Sequence, residues 1–168
     1  MVQTINRRQF LRGDFRGNNA SIRPPWALDE GDFIEMCTGC GDCISACPES
    51  ILITSSGGFP SVDFNHGECT FCRSCVDSCQ PGALKVTDTP WELLLNISES
   101  CLALKSIVCS VCAEQCEVRA IHFTPVIGGV SQPNIDSERC NGCGACVHSC
   151  PGASISFLYR HNQKEFIS

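Results

Sequence analysis

Sixteen of the 168 residues are cysteine, and they fall into four groups of four. The first group reads CTGCGDCISACP, with Cys37, Cys40, Cys43 and Cys47 ahead of Pro48. The second reads CTFCRSCVDSCQP, with Cys69, Cys72, Cys75 and Cys79 and its proline one place later, at Pro81. The fourth reads CNGCGACVHSCP, with Cys140, Cys143, Cys146 and Cys150 ahead of Pro151. All three follow C-x2-C-x2-C-x3-C. Thiols at such density either cross-link a secreted chain or bind metal inside a cell, and spacing separates the two. A disulfide framework has no need of this repeat, and structural zinc draws on two separated C-x2-C pairs.

Three thiols at unbroken intervals of three suit a four-iron cubane, in which each iron takes one thiolate. This is the spacing of bacterial [4Fe–4S] sites. The fourth thiol, four residues further on, points away and serves the neighbouring cluster. Gly39, Gly41, Gly142 and Gly144 let backbone N–H groups approach the cluster sulfurs, and the proline after the last cysteine turns the chain out of the site. The third group, CLALKSIVCSVCAEQCE, is irregular: seven residues part Cys101 from Cys109, Cys112 and Cys116 follow, and glutamate replaces the proline. Four thiols are still present, so a fourth cluster with an enlarged loop at one corner is expected.

The elements around the thiols repeat with them. A short apolar stretch follows each group: ILI, ALKV, AIHF and SISF. FPSVDF and QPNID precede the second and fourth groups, and Gly57–Gly58 and Gly128–Gly129 supply hairpin turns. The pattern predicts an α+β fold of two tandem bacterial-type 2[4Fe–4S] ferredoxin-like modules behind a basic N-terminal arm. The boundaries expected are 1–32 for the arm, 33–90 for the first module and 91–168 for the second. Clusters stand in for much of the core in modules this small. Pairing neighbouring groups gives a linear ligand scheme. Cys79 joins Cys37, Cys40 and Cys43, while Cys47 joins Cys69, Cys72 and Cys75. In the second half, Cys150 joins Cys101, Cys109 and Cys112, and Cys116 joins Cys140, Cys143 and Cys146. A nested pairing of first with fourth and second with third is the alternative, and the hairpin signals within each half favour the linear one.

Charge is unevenly spread. Residues 1–26 hold five arginines, Arg7, Arg8, Arg12, Arg16 and Arg23, against one acid, and the rest of the chain carries seven basic and seventeen acidic side chains. An acidic body argues against nucleic-acid binding. No stretch approaches the roughly 20 apolar residues of a membrane span. NRRQFLR at 6–12 resembles a twin-arginine export signal, but no apolar segment follows it, so a soluble, cytoplasmic protein is expected. His66, His122, His148 and His161 form no catalytic arrangement. Neither a nucleophile constellation nor a phosphate loop is present, so no catalytic residue is assigned and an enzyme is not expected. Trp91 reads as a packing residue.

Taken together, NRRQFLR, then SIRPPW at Ser21–Trp26, then four cysteine groups with the third opened to C-x7-C resemble the NapF family. These are ferredoxin-type accessory proteins of periplasmic nitrate reductase systems. The resemblance runs over nearly the whole chain. It implies a cytoplasmic iron–sulfur protein that binds the precursor of the nitrate reductase catalytic subunit and assists its maturation, by cluster supply or redox adjustment. Arg7, Arg8, Arg23, Pro24, Pro25 and Trp26 are then candidate partner-binding residues. Two other functions fit the same thiols: an electron-transfer polyferredoxin feeding a reductase, and a redox or oxygen sensor. With no DNA-reading element, the sensor ranks last.

Overall fold

The computed structural model describes residues 21–55 and 57–160. The chain forms two compact units. One comprises the residues up to Asp63 together with Cys72–Pro90, and the other Phe64–Phe71 together with the residues from Trp91 onward. Both contain short helices and short antiparallel strands, the α+β character expected.

In the first unit, helix α1 (Glu30–Met36) leads into the first cysteine loop, and Glu30 and Asp32 place negative charge at its N-terminal turn. The N–H of Cys37 closes the helix on the Phe33 carbonyl. A four-residue helix, α2 (Asp42–Ser45), carries Cys43. Strands β1 (Leu52–Thr54) and β2 (Pro60–Val62) pair as an antiparallel hairpin, Ile53 facing Ser61. Helix α3 (Ser74–Asp77) carries Cys75. Ala27 and Leu84 form an isolated antiparallel bridge, extended by bonds from the Leu28 N–H to Ala83 and the Lys85 N–H to Trp26. Residues 26–28 are thereby tied to residues 83–85 of the same unit. Phe33, Ile34, Ile51, Leu52, Phe59 and Leu84 make the core.

In the second unit, β3 (Leu93–Ile97) and β6 (Ile155–Tyr159) pair antiparallel over five residues, Leu95 opposite Phe157. Period-two alternation buries Leu93 and Leu95 on one strand and Ile155 and Phe157 on the other. Between them lie α4 (Val111–Glu114), the hairpin β4 (Ile121–Thr124) with β5 (Gln132–Ile135), and α5 (Ala145–His148). Phe64 packs 5.1 Å from Phe157 and 5.8 Å from Trp91. This contact accounts for Phe64–Phe71 belonging to the second unit. Among the described residues, no helix is long and apolar enough to cross a membrane.

Candidate iron–sulfur centres

The backbone of the cysteine loops is set by the need to aim N–H groups at sulfur. Gly39 and Gly142, two residues after the opening cysteine, have φ of 72° and 77°; burial raises the thiols of Cys37 and Cys140, and hydrogen bonds at these glycines offset part of that rise. In the second group the same place is filled by Phe71, at φ 54°, and its N–H lies 3.4 Å from the Cys69 sulfur. Two residues further along, Gly41 and Gly144 have φ of 83° and 90°, and Arg73 takes their place at 67°. Left-handed backbone at a bulky residue costs about 1–3 kcal/mol. The second loop adopts it without glycine, whereas in the third group Ser110, directly after Cys109, has φ of −134°.

Within the first unit, Cys37, Cys40, Cys43 and Cys79 line one cavity, closed by Phe33, Pro60, Pro81, Ala83 and Leu84. Burial pushes the Cys43 thiol up to about 12, helped by repulsion from Cys37, Cys79, Cys75 and Cys40. Within the second unit, Cys101, Cys109, Cys112 and Cys150 line a cavity with Ile97, Leu102 and Ile155. Cys112 is pushed up to about 11 by burial, then by Cys101, with Cys109 and Cys150 adding to it against the Ala113 N–H. Cys146 is pushed up to about 12 by burial, and then by Cys143, Cys140, Cys112 and Cys116. Cys79 thus sits with the first group, Cys150 with the third and Cys116 with the fourth.

Cys47 follows α2, and Cys72 and Cys75 flank the start of α3, all in the first unit. Cys69 belongs to the second unit, where its N–H donates to the Cys143 carbonyl at 2.7 Å. All sixteen cysteines are free of disulfides. Four thiols around an apolar cavity fit a polynuclear iron centre. Such a centre takes the thiols as thiolates, and loading it releases their protons.

The irregular third group is built as a turn. Lys105 donates its N–H to Cys101, and Ile107 donates to Leu102. Cys101 is buried, while the loop leaves Ile107 51% and Val108 86% exposed.

The arm residues divide. Arg7 and Arg8 lie outside the described residues, as does His161. Arg23, Pro24, Pro25 and Trp26 are all buried. Arg23 is 8% exposed. Its guanidinium lies 5.0 Å from the Phe33 ring centroid and 5.3 Å from that of Phe59. Its Nε and Nη2 donate to Glu30 at 3.0 and 2.7 Å. The Trp26 indole N–H donates to the Thr87 carbonyl. These four residues are packed into the first unit. Burial raises the Cys37 thiol, and the same guanidinium opposes that rise only slightly. His66, His122 and His148 are exposed, and Trp91 packs on Phe64 and Phe71 and donates to the Asn141 carbonyl.

Comparison with known proteins agrees with this chemistry. Residues 36–84 and 105–154 each match a 4Fe-4S dicluster domain. Cys101 falls outside the second match, and the structure supplies what the match leaves out by burying it beside Cys112. The ferredoxin-type protein NapF of Escherichia coli K12 is 43% identical over 157 residues, covering 93% of this chain and 96% of that one. NapF of Haemophilus influenzae is 45% identical over 166 residues, covering 92% and 94%. The methylamine utilization ferredoxin-type protein MauM of Methylobacillus flagellatus is 34% identical over 149 residues, covering 77% and 63%. Two dicluster domains and sixteen cysteines are the complement of four [4Fe–4S] clusters.

Proposed function

Since this chain belongs to the NapF family of ferredoxin-type iron–sulfur proteins, we propose that it is a cytoplasmic accessory protein for a periplasmic nitrate reductase. It binds the precursor of the catalytic subunit before export and supplies it with clusters or electrons. Its own clusters are ligated by Cys37, Cys40, Cys43 and Cys79; by Cys69, Cys72, Cys75 and Cys47; by Cys101, Cys109, Cys112 and Cys150; and by Cys140, Cys143, Cys146 and Cys116. The observation that carries the proposal is identity to NapF along almost the entire length of both chains, over a body whose thiols gather in fours. With Arg23–Trp26 committed to the first unit, the contact with the precursor falls to the basic stretch that includes Arg7 and Arg8.

Anaerobic affinity purification of the tagged protein from cytoplasm tests this. Recovery of the reductase precursor with its signal intact, lost on deletion of residues 1–20, is the expected result. Capture that survives the deletion refutes the role of the arm, and capture of electron-transfer partners alone refutes the maturation role. A plain electron carrier is the second possibility, supported by the proximity of neighbouring thiol sets. Cys75 contributes to the raised pKa of Cys43, and Cys112 to that of Cys146, so each unit holds adjacent sets within electrostatic reach. A carrier docking through its acidic body would lose its partner steeply with salt.

A further inference from the structure

The residue four places after the closing cysteine differs among the groups. It is Ile51, Ala83 and Ala120 after Cys47, Cys79 and Cys116, but Ser154 after Cys150. At Cys116 and Cys150 this residue gives its backbone N–H to the sulfur, at 3.2 Å from Ala120 and 3.5 Å from Ser154. Ser154 adds a second contact, its Oγ lying 3.3 Å from the Cys150 Sγ, and toward a thiolate sulfur the hydroxyl is the donor. The side chain is 3% exposed, so water does not compete for the hydroxyl, and a buried hydroxyl without a partner would be costly. The Ser154 carbonyl accepts from the Ser98 N–H at 2.8 Å, which fixes the residue at the edge of the cavity it lines with Cys101, Cys109 and Cys112. Among the described residues, the Ser74 Oγ also lies 3.4 Å from the Cys72 Sγ, and that contact is exposed.

We propose that the Ser154 hydroxyl, donated to the Cys150 thiolate, is a potential-setting group. It holds the cluster of Cys101, Cys109, Cys112 and Cys150 at a higher reduction potential than its neighbour in the same unit. The physical reason is that a donor to a ligating sulfur stabilises the electron-richer, reduced state more than the oxidised one. The inference rests on the ligand assignment above and on nothing further about the partner. It gives the opened third group a purpose, because the more oxidising site of the second unit then lies behind the loop that exposes Ile107 and Val108.

The test is an anaerobic potentiometric titration of the loaded, full-length protein, followed by electron paramagnetic resonance, with iron counted in the same samples. Ser154→Ala is expected to leave iron unchanged and to lower one midpoint, changing the reduced-to-oxidised ratio about tenfold at fixed poise, or about 59 mV for a one-electron couple. Ser154→Thr, which keeps the hydroxyl, is expected to restore it. Ala120→Ser, which adds the hydroxyl at the corresponding place behind Cys116, is expected to raise a different midpoint. Full iron content in Ser154→Ala with every midpoint unmoved overturns the role of Ser154 and leaves the ligand assignment standing. A wild-type protein with only about twelve iron atoms overturns the assignment itself, and this inference with it.

Discussion

The two units close the same kind of thiol site by different means. In the second, β3 and β6 form a five-residue ladder whose buried faces are aliphatic and aromatic. In the first, the corresponding closure is reduced to the Ala27–Leu84 bridge and its flanking bonds. What the short ladder lacks is made up by side chains: two buried prolines, Trp26, and an arginine between two phenylalanines with its charge returned by Glu30. Where backbone pairing is short, a cation held by aromatic faces and a carboxylate can fix the chain in its place.

The comparison can be broken most forcefully at the thiols. Replacing Cys101 or Cys37 with serine should each remove one cluster, about four iron atoms per chain. It should also destabilise the unit concerned, since binding free energy of the metal centre is folding free energy. Iron analysis and circular dichroism check both. A Cys101 variant that keeps full iron would show that the third group does not reach its cavity.

Next in size are the equivalent glycines. A Cβ on Gly144 would run into the Phe64 ring, whereas one on Gly41 meets nothing within 4 Å. Gly144→Ala should therefore cost about 3 kcal/mol or more, from overpacking added to left-handed strain, and Gly41→Ala about 1 kcal/mol. Thermal unfolding of the loaded proteins would separate them, and equal losses would contradict the packing described for Phe64.

The smallest effects belong to the arginine staple. Arg23→Met should cost about 2 kcal/mol through lost cation–π contact and hydrogen bonding. Glu30→Gln should cost less than about 1 kcal/mol, because the Glu30 side chain is 54% exposed and solvent screens the pair. A larger loss at Glu30 than at Arg23 would mean that the ion pair, not the aromatic sandwich, holds the first unit.

Much of this was legible in the sequence for a physical reason. Iron–sulfur ligation fixes thiol spacing, so the three regular groups and the hairpins at Gly57–Gly58 and Gly128–Gly129 follow from local pattern. What escaped depends on contacts distant in sequence. SIRPPW reads as an exposed basic segment until Phe33 and Phe59 are seen to enclose Arg23, with Pro60 within reach of its Nη1. Glycines mark where backbone N–H groups approach sulfur in the first and fourth groups, but Phe71 and Arg73 take the left-handed backbone of those positions in the second, and no propensity favours that. Aromatic packing draws Phe64–Phe71 into the second unit, an assignment that strand spacing cannot supply. Ser154 did leave a signal: aligning the four groups on their closing cysteine shows one hydroxyl against three aliphatic side chains.

The central claim is that all sixteen thiols work as iron ligands, Cys101 among them. The most direct test is to count iron and acid-labile sulfide in full-length protein purified anaerobically. About sixteen of each per chain is the predicted result, and about twelve would contradict it, leaving the opened third group without a cluster.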